Sequence, residues 1–127
     1  MKLSNENIVT YRYQLSDEMF QDALLMYNNR RLRSTVNRLY YSVFYRLLGM
    51  LTAEGLKAKT HTGIKTHFHK QFVITKRIDK HFGMVYERLF VARHDGDYDD
   101  LVLFEEDEVA SLFEDTTRLP AALKELS

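Results

Sequence analysis

This chain contains very few residues that interrupt a helix. One proline and five glycines are spread over 127 residues, and no segment alternates apolar and polar residues as a half-buried strand does. Long helices joined by short loops are therefore expected. A chain of this length is enough for one buried core, so we expect residues 1–127 to form a single domain.

Apolar residues recur at spacings of three and four along five segments, which is the periodicity of one helix face. The second segment is apolar around so much of its circumference that it should be central or contact a second subunit. We therefore predict an all-α fold, an antiparallel up-and-down bundle of four or five helices. The predicted helices span about 7–28, 32–54, 60–73, 79–92 and 105–119.

Local signals predict how these helices begin and end. Thr60 and Asp79 are expected as N-caps, and Gly55 as the end of the second helix. Pro120 should kink or end the fifth helix. The inner face of the first helix is expected to carry Ile8, Tyr11, Leu15, Met19, Ala23 and Met26.

Composition removes several classes of chemistry. The chain has no cysteine, which excludes disulfides, thiolate nucleophiles and cysteine-based zinc sites. The sequence from Met1 to Met19 lacks the basic start and apolar run of a signal peptide, and no stretch is long and apolar enough to cross a bilayer. We expect a cytoplasmic protein without membrane contact, and no motif indicates a cofactor.

Charge is unevenly distributed although the formal net charge is zero. From Arg30 to His94 there are 14 basic and 3 acidic side chains, whereas from Asp95 to Ser127 there are 2 basic and 11 acidic. Either the acidic last helix packs beside the basic helices and neutralises them, or the basic block forms a face for phosphates. Aromatic residues within this block have the spacing of a core, so stacking on bases is not expected.

The sequence VARHDGDYDD, from Val91 to Asp100, has two interpretations. It is either a polar turn, in which Gly96 supplies a positive φ, or the site of a phosphate-related function. In the second case Arg93 offers a planar fork of donors to phosphate oxygens, and His94 exchanges protons near neutral pH. If both residues are helical, their side chains point about 100° apart.

Three stretches, in this order, resemble the HEPN domain family of small helical prokaryotic proteins. They are NRLYYSVFYRLLGML in the second helix, KAKTHTGIKTHFHKQF around the third, and ARHDGDYDDLVLFEEDEV between the fourth and the fifth. The resemblance covers nearly the whole chain. It implies a four- or five-helix bundle that commonly forms a homodimer through its long helices.

The resemblance also implies partners and activities. Many members are encoded beside a minimal nucleotidyltransferase, and such pairs often act as toxin and antitoxin. Some members are metal-independent ribonucleases that use an arginine followed, after four to six residues, by a histidine, and others are similar to substrate-binding subunits of nucleotidyltransferases. Here Tyr98 stands where that histidine is expected after Arg93. In some relatives a tyrosine of the analogous motif accepts AMP, a role that would transfer to Tyr98.

Candidate site residues follow from these motifs. Arg93, His94 and Tyr98 are the candidate catalytic residues. Asn37 and Tyr41 share a helix face, either as a hydrogen-bonded core pair or lining a dimer cleft. His61 is expected to be at least half-buried and to bond the loop before Gly63. The candidate residues for binding RNA or a nucleotide are Asn37, Arg38, Tyr41, Lys59, His61 and Asp97.

The histidines of the third helix do not indicate a metal site. His67 and His69 lie about 200° apart around the helix, and His61 and His69 are separated by about 12 Å of rise. One ion cannot bridge either pair, so no metal is expected.

Three functions remain open from the sequence. The first is a dimeric HEPN-type bundle that works with a small nucleotidyltransferase, with Arg93, Tyr98 and His94 at the cleft. The second is a metal-independent ribonuclease toxin with Arg93 and His94 in a composite dimer site. The third is an interaction module without chemistry.

Overall fold

The computed structural model describes residues 4–58 and 60–124. Five α-helices make up most of this part of the chain and no strand occurs in it, so the predicted all-α bundle is confirmed. The helices are α1 (Asn5–Asn28), α2 (Leu32–Ala53), α3 (His61–Phe68), α4 (Lys80–Tyr98) and α5 (Glu106–Lys124), with a π-helical turn (His69–Val73) directly after α3.

The predicted caps form as expected. The hydroxyl of Thr60 accepts a hydrogen bond from the backbone N–H of Gly63 at 2.9 Å, and the carboxylate of Asp79 accepts one from His81 at 2.8 Å. These bonds satisfy backbone donors that have no partner within the first turn of a helix. Gly55, with a φ of 75°, follows the last turn of α2.

Pro120 does not end the fifth helix, because α5 continues to Lys124. An internal proline costs a helix about 3 kcal/mol. Leu119 and Leu123, on either side of it, are fully buried, and burial of one such side chain contributes about 1.5–3 kcal/mol. Packing of this last segment therefore outweighs the cost of the proline.

Helix α2 is the centre of the bundle, as its broad apolar arc predicts. It contacts α1, α3, α4 and α5. From α3 and the π-helical turn, Phe68 and Phe72 are fully buried, so these aromatic residues within the basic block belong to the core. The fully buried apolar side chains of α2 include Val36, Leu39, Tyr40, Val43 and Leu47.

The inner face of α1 differs from the prediction, and only Ala23 of the predicted residues is fully buried. Half-buried positions outside the core cluster are Ile8, Leu15, Met19 and Met26. Tyr11 is 51% exposed, whereas its neighbour Tyr13 packs against the core. The reason lies in α2, where Gly49 has no side chain and the ring of Tyr13 occupies the space that a Cβ there would need. The buried face of α1 therefore passes through Tyr13, Ser16 and Ala23.

In the part of the chain that the structure describes, two ion pairs connect the acidic fifth helix to the basic block. Arg30 contacts Glu106 at 2.9 Å, and Arg88 of α4 contacts Asp115 at 3.0 Å. Charge neutralisation between the two segments therefore occurs at least at these contacts. None of the described helices combines the length and the apolarity that crossing a bilayer requires.

Candidate functional site

The sequence from Val91 to Asp100 is not the polar turn that one interpretation predicted. Helix α4 runs through it to Tyr98, and Gly96 is helical and buried, without a positive φ. The ring of Phe104 lies so close that a Cβ on Gly96 would be 3.0 Å from its Cε2 atom. Glycine therefore serves close packing here rather than an unusual backbone conformation, because a side chain at this position would force the ring of Phe104 to shift.

Because this motif is helical, its candidate residues divide between two faces of α4. Arg93 is only 6% exposed. The side chain of His94 is 56% exposed and Tyr98 is 76% exposed; their rings lie 4.8 Å apart. One phosphate cannot contact Arg93 and His94 of the same protomer in this arrangement.

Arg93 lies against an aromatic ring. Its guanidinium carbon is 4.7 Å from the ring centroid of Tyr40, and Nη1 is 3.4 Å from a carboxylate oxygen of Asp97, one turn along α4. Its Nε atom is buried and has no hydrogen-bond partner among the described residues. The charge is thus stabilised mainly by the π face and by one long ion pair.

The hydroxyl of Tyr40 connects three helices. It lies 2.8 Å from Nδ1 of His61 on α3, and it accepts a bond of 3.5 Å from the hydroxyl of Tyr86 on α4. The sequence predicted that His61 bonds the loop before Gly63. Instead, its partner is the hydroxyl of Tyr40, which reaches it across the core from α2. We refer to Tyr40, His61, Tyr86 and Arg93 as the Tyr40 cluster.

The Tyr40 cluster keeps its titratable groups uncharged, apart from Arg93. Burial lowers the pKa of His61, the positive charge of Arg93 lowers it further, and Asp97 opposes this. Burial raises the pKa of Tyr40 and of Tyr86. Tyr40 accepts from Tyr86, and the donor in its 2.8 Å bond with Nδ1 of His61 depends on the tautomer of the imidazole.

Three of the candidate binding residues, Asn37, Arg38 and Asp97, lie together where α2 meets the end of α4. Nδ2 of Asn37 donates to Asp97 at 3.4 Å, and Arg38 donates to Oδ1 of Asn37 at 3.0 Å. These three residues line an open cavity of about 330 Å³. A carboxylate, an amide and a guanidinium around one cavity can hold a polar ligand in a fixed orientation.

The remaining candidate binding residues are not in that cavity. Tyr41 contacts the edge of His61, with ring centroids 5.9 Å apart, so it does not pair with Asn37. Lys59 lies outside the described residues. Within 4–58 and 60–124 no three histidine, aspartate or glutamate side chains converge in a way that could hold a metal ion.

Sequence reasoning missed the residue that fixes the end of α4. The guanidinium of Arg33, on α2, donates to the backbone carbonyls of Gly96 and Val102 and, at 3.4 Å, to that of Asp99. In the sequence, Arg33 is one of several arginines in a basic run, and nothing distinguishes it. Tyr40 was also missed, although a tyrosine at a core position needs a partner for its hydroxyl.

Comparison with known proteins agrees with this architecture. The sequence profile of the HEPN domain matches residues 9–126. A UPF0332 protein of Thermotoga maritima is 41% identical over 104 residues, which are 82% of this chain and 79% of that protein. A protein of Methanocaldococcus jannaschii named "Putative toxin MJ0605" is 26% identical over 116 residues, or 89% of this chain and 87% of its own. A second from that organism, "Putative toxin MJ0142", is 28% identical over 87 residues, or 68% and 59%. This chain belongs to the HEPN domain family.

Proposed function

We propose that this protein is the toxin-like member of a two-protein pair whose other member is a small nucleotidyltransferase, and that Tyr98 accepts AMP from this partner. The names of the two relatives from Methanocaldococcus jannaschii support the toxin-like character. The exposure of Tyr98, at 76%, is the observation that carries the choice of acceptor.

The chemistry requires an accessible phenol and a nearby proton acceptor. Oη of Tyr98 attacks the α-phosphorus of ATP, the α–β phosphoanhydride bond breaks, and pyrophosphate leaves. His94, one turn earlier on the same exposed face, lies beside the ring of Tyr98 and is suited to take the phenolic proton. Arg93 and Asp97 do not share this face, so their contacts would survive the modification.

The direct test is incubation of the purified protein with ATP and its proposed nucleotidyltransferase partner. We expect a mass increase of one AMP on the peptide that contains Tyr98. Tyr98→Phe should abolish the increase, whereas Tyr11→Phe, which removes an exposed hydroxyl from α1, should retain it. A mass increase that persists in Tyr98→Phe would assign the acceptor elsewhere.

The toxin-like character has its own test in cells. Expression of this chain alone should arrest growth, and co-expression of the nucleotidyltransferase should restore it. For Tyr98→Phe, the arrest should remain even with the partner present. Growth that is unaffected by wild-type expression would contradict the toxin-like part of the proposal.

A second candidate function is metal-independent RNA cleavage, and one observation favours it. His61 and Arg93 both contact Tyr40, so an imidazole and a guanidinium lie near each other although His94 points away. Cleavage by 2′-hydroxyl attack needs such a proton-transfer group and such a cation. RNA should then be cut in the presence of chelator, His61→Asn should lose this activity, and His94→Asn should keep it.

A further inference from the structure

The three most exposed large apolar side chains of the described residues lie at the end of α4 and in its connection to α5. Leu103 is 86% exposed, Leu101 82% and Tyr98 76%, and all three lie within six consecutive residues. Val91, two turns earlier on α4, is 46% exposed. Apolar residues scattered singly on a surface need no explanation, but a contiguous group of this kind marks an interaction site.

A groove lies next to these side chains. It has a volume of about 460 Å³ and is bounded by α4, the α4–α5 connection and α5. Its apolar lining comes from Val91, Ala92, Val102, Leu103, Phe104 and Leu112. The groove is therefore large enough to accept apolar side chains from another chain. We refer to this groove together with Tyr98 and Leu101 as the α4–α5 surface.

The exposure of the two leucines is fixed by the fold. Arg33 binds three carbonyls along this segment, and Asp99 forms a turn in which its carboxylate accepts from the backbone N–H of Leu101 at 2.9 Å. The ring of Phe104 is wedged against Gly96. The leucines are thus held outward by the polar contacts of Leu101 and of the residues next to them in the chain, and they cannot reach the core without breaking those contacts.

Acidic side chains predominate around the α4–α5 surface, although Arg33 of α2 and Arg88 of α4 lie against it. From Asp95 to Glu108 there are eight acidic side chains and no basic one. Within the described part of the chain, Asp99, Asp100, Asp107 and Glu108 take part in no ion pair. The one cation that lines the groove, Arg88, is already paired with Asp115. An occupant of this groove must therefore bring positive charge.

A second copy of this chain does not fit that requirement well. A two-fold contact through the same surface would bring the acidic side chains of both copies together, which is repulsive. A contact with the basic block of another copy would be head-to-tail and would leave a free surface at each end. The charge distribution favours a different protein.

We propose that the α4–α5 surface docks a basic, amphipathic helical segment of the partner protein, with its apolar side chains in the groove and its lysine or arginine side chains against the acidic rim. This deepens the proposed function, on which it rests for the identity of the partner. Tyr98 is part of the docking surface, so docking would bring its hydroxyl to the partner. The surface thereby explains how Tyr98 is selected over Tyr11, the other exposed tyrosine among the described residues.

The chemistry of docking can be tested with defined peptides and the full chain. The probe is a synthetic helical peptide with leucine on one face and lysine on the other. Two controls replace all its lysines by glutamate or all its leucines by serine. Wild-type protein should bind the leucine–lysine peptide and neither control, as measured by fluorescence anisotropy. Equal binding of the glutamate peptide would overturn the proposal.

Matched variants locate the binding. Leu101→Ser combined with Leu103→Ser should weaken peptide binding about tenfold or more, since both apolar contacts are lost. Ile74→Ser, which removes a side chain 73% exposed at the far end of the π-helical turn, should leave it unchanged. Because all three side chains are exposed, the thermal unfolding of these variants should stay close to that of wild type. Peptide binding that is retained in the double variant would exclude this assignment. A homodimer that forms in the wild type and in Ile74→Ser but not in the double variant would also exclude it.

A second experiment uses the nucleotidyltransferase as partner and distinguishes failure of the docking proposal from failure of the proposed function. The double leucine variant should lose both the complex and the modification of Tyr98, whereas Tyr98→Phe should lose only the modification. A complex that depends on Leu101 and Leu103 but never yields AMP–tyrosine would refute the proposed function and leave the docking surface standing. Efficient modification of the double variant would refute the docking surface and leave the proposed function.

Discussion

The guanidinium of Arg93 is stabilised by a tyrosine ring rather than by a full set of acceptors. Its nearest carboxylate, on Asp97, is 3.4 Å away, and its Nε atom is buried without a partner among the described residues. Replacing it by alanine would leave a cavity beside Tyr40 and release Asp97, which costs several kcal/mol in typical cores. Loss of function in Arg93→Ala would therefore not separate a chemical role from unfolding, and Arg93→Lys is the better variant.

His61 should make the stability of the protein depend on pH. Burial and Arg93 lower the pKa of His61 below its ordinary value of 6.5. As the pH falls below about 6.5, the unfolded chain takes up a proton that folded His61 does not, so the free energy of unfolding decreases until the folded pKa is reached. Urea unfolding between about pH 7.5 and 5 should show this decrease.

Substitution separates His61 from the other histidines. His61→Gln should reduce the slope of unfolding free energy against pH in this window. The control is His94→Gln, because the side chain of His94 is 56% exposed and lies outside the Tyr40 cluster. A slope that stays the same in His61→Gln and disappears in His94→Gln would contradict the assignment.

At the scale of the helix, the end of α4 depends on a side chain from α2. The last carbonyls of a helix lack partners within it, and here Arg33 binds the carbonyls of Gly96, Asp99 and Val102. Arg33 thus caps the end of α4 from a position distant in sequence, and its hydrogen bonds extend along the connection to α5. This contact explains why the acidic motif remains helical as far as Tyr98.

Removing this cap should loosen the end of α4 and the connection without unfolding the bundle. In Arg33→Gln, the backbone amides of Asp99 and Val102, bonded to Asp95 and Asp99, should exchange hydrogen with solvent faster than in wild type. Amides in the centre of α2 should not change. Arg31→Gln, at an exposed position two residues earlier, is the control. Unchanged exchange at Asp99 and Val102 would show that Arg33 is not the cap.

The helices themselves were predictable, since their signals are local. Periodicity defined the five segments, and Thr60 and Asp79 were recognisable caps because their bonds reach only two or three residues. The end of α4 was not predictable for the opposite reason. A glycine between two aspartates is typical of a turn, and only the ring of Phe104 and the guanidinium of Arg33, which is distant in sequence, make it helical.

The candidate site was predictable to a similar degree. The sequence identified Arg93, Asp97, Asn37 and His61 as separate candidates, and all four contact the Tyr40 cluster or each other. It could not indicate that Tyr40 connects them, because a tyrosine on an apolar helix face is typical of any core. The separation of Arg93 from His94 followed from helical geometry once the motif was known to be helical.

Across the whole molecule, charge is separated into a basic central block and an acidic C-terminal segment. Among the described residues two ion pairs of α5 join them, and the better buried is that of Arg88 with Asp115, whose side chains are 45% and 22% exposed. Pairs of this exposure contribute about 0.2–1 kcal/mol each. Attraction between the segments should therefore be modest, spread over many charges, and sensitive to salt.

Reversing charges at that contact tests this attraction. Asp115→Arg should lower the free energy of unfolding by up to about 1 kcal/mol at low salt, because it adds a cation beside Arg88. Adding Arg88→Glu should recover most of the loss, and about 1 M NaCl should shrink both effects as the Debye length falls to about 3 Å. The control is the reversal of Glu114 and Arg118, an exposed pair within α5, where neither helix packing nor the basic block is involved. Since that pair lies within one helix, its reversal should change the free energy of unfolding less at every salt concentration. Equal changes for the two pairs would mean that the acidic helix gains no stability from its basic neighbours.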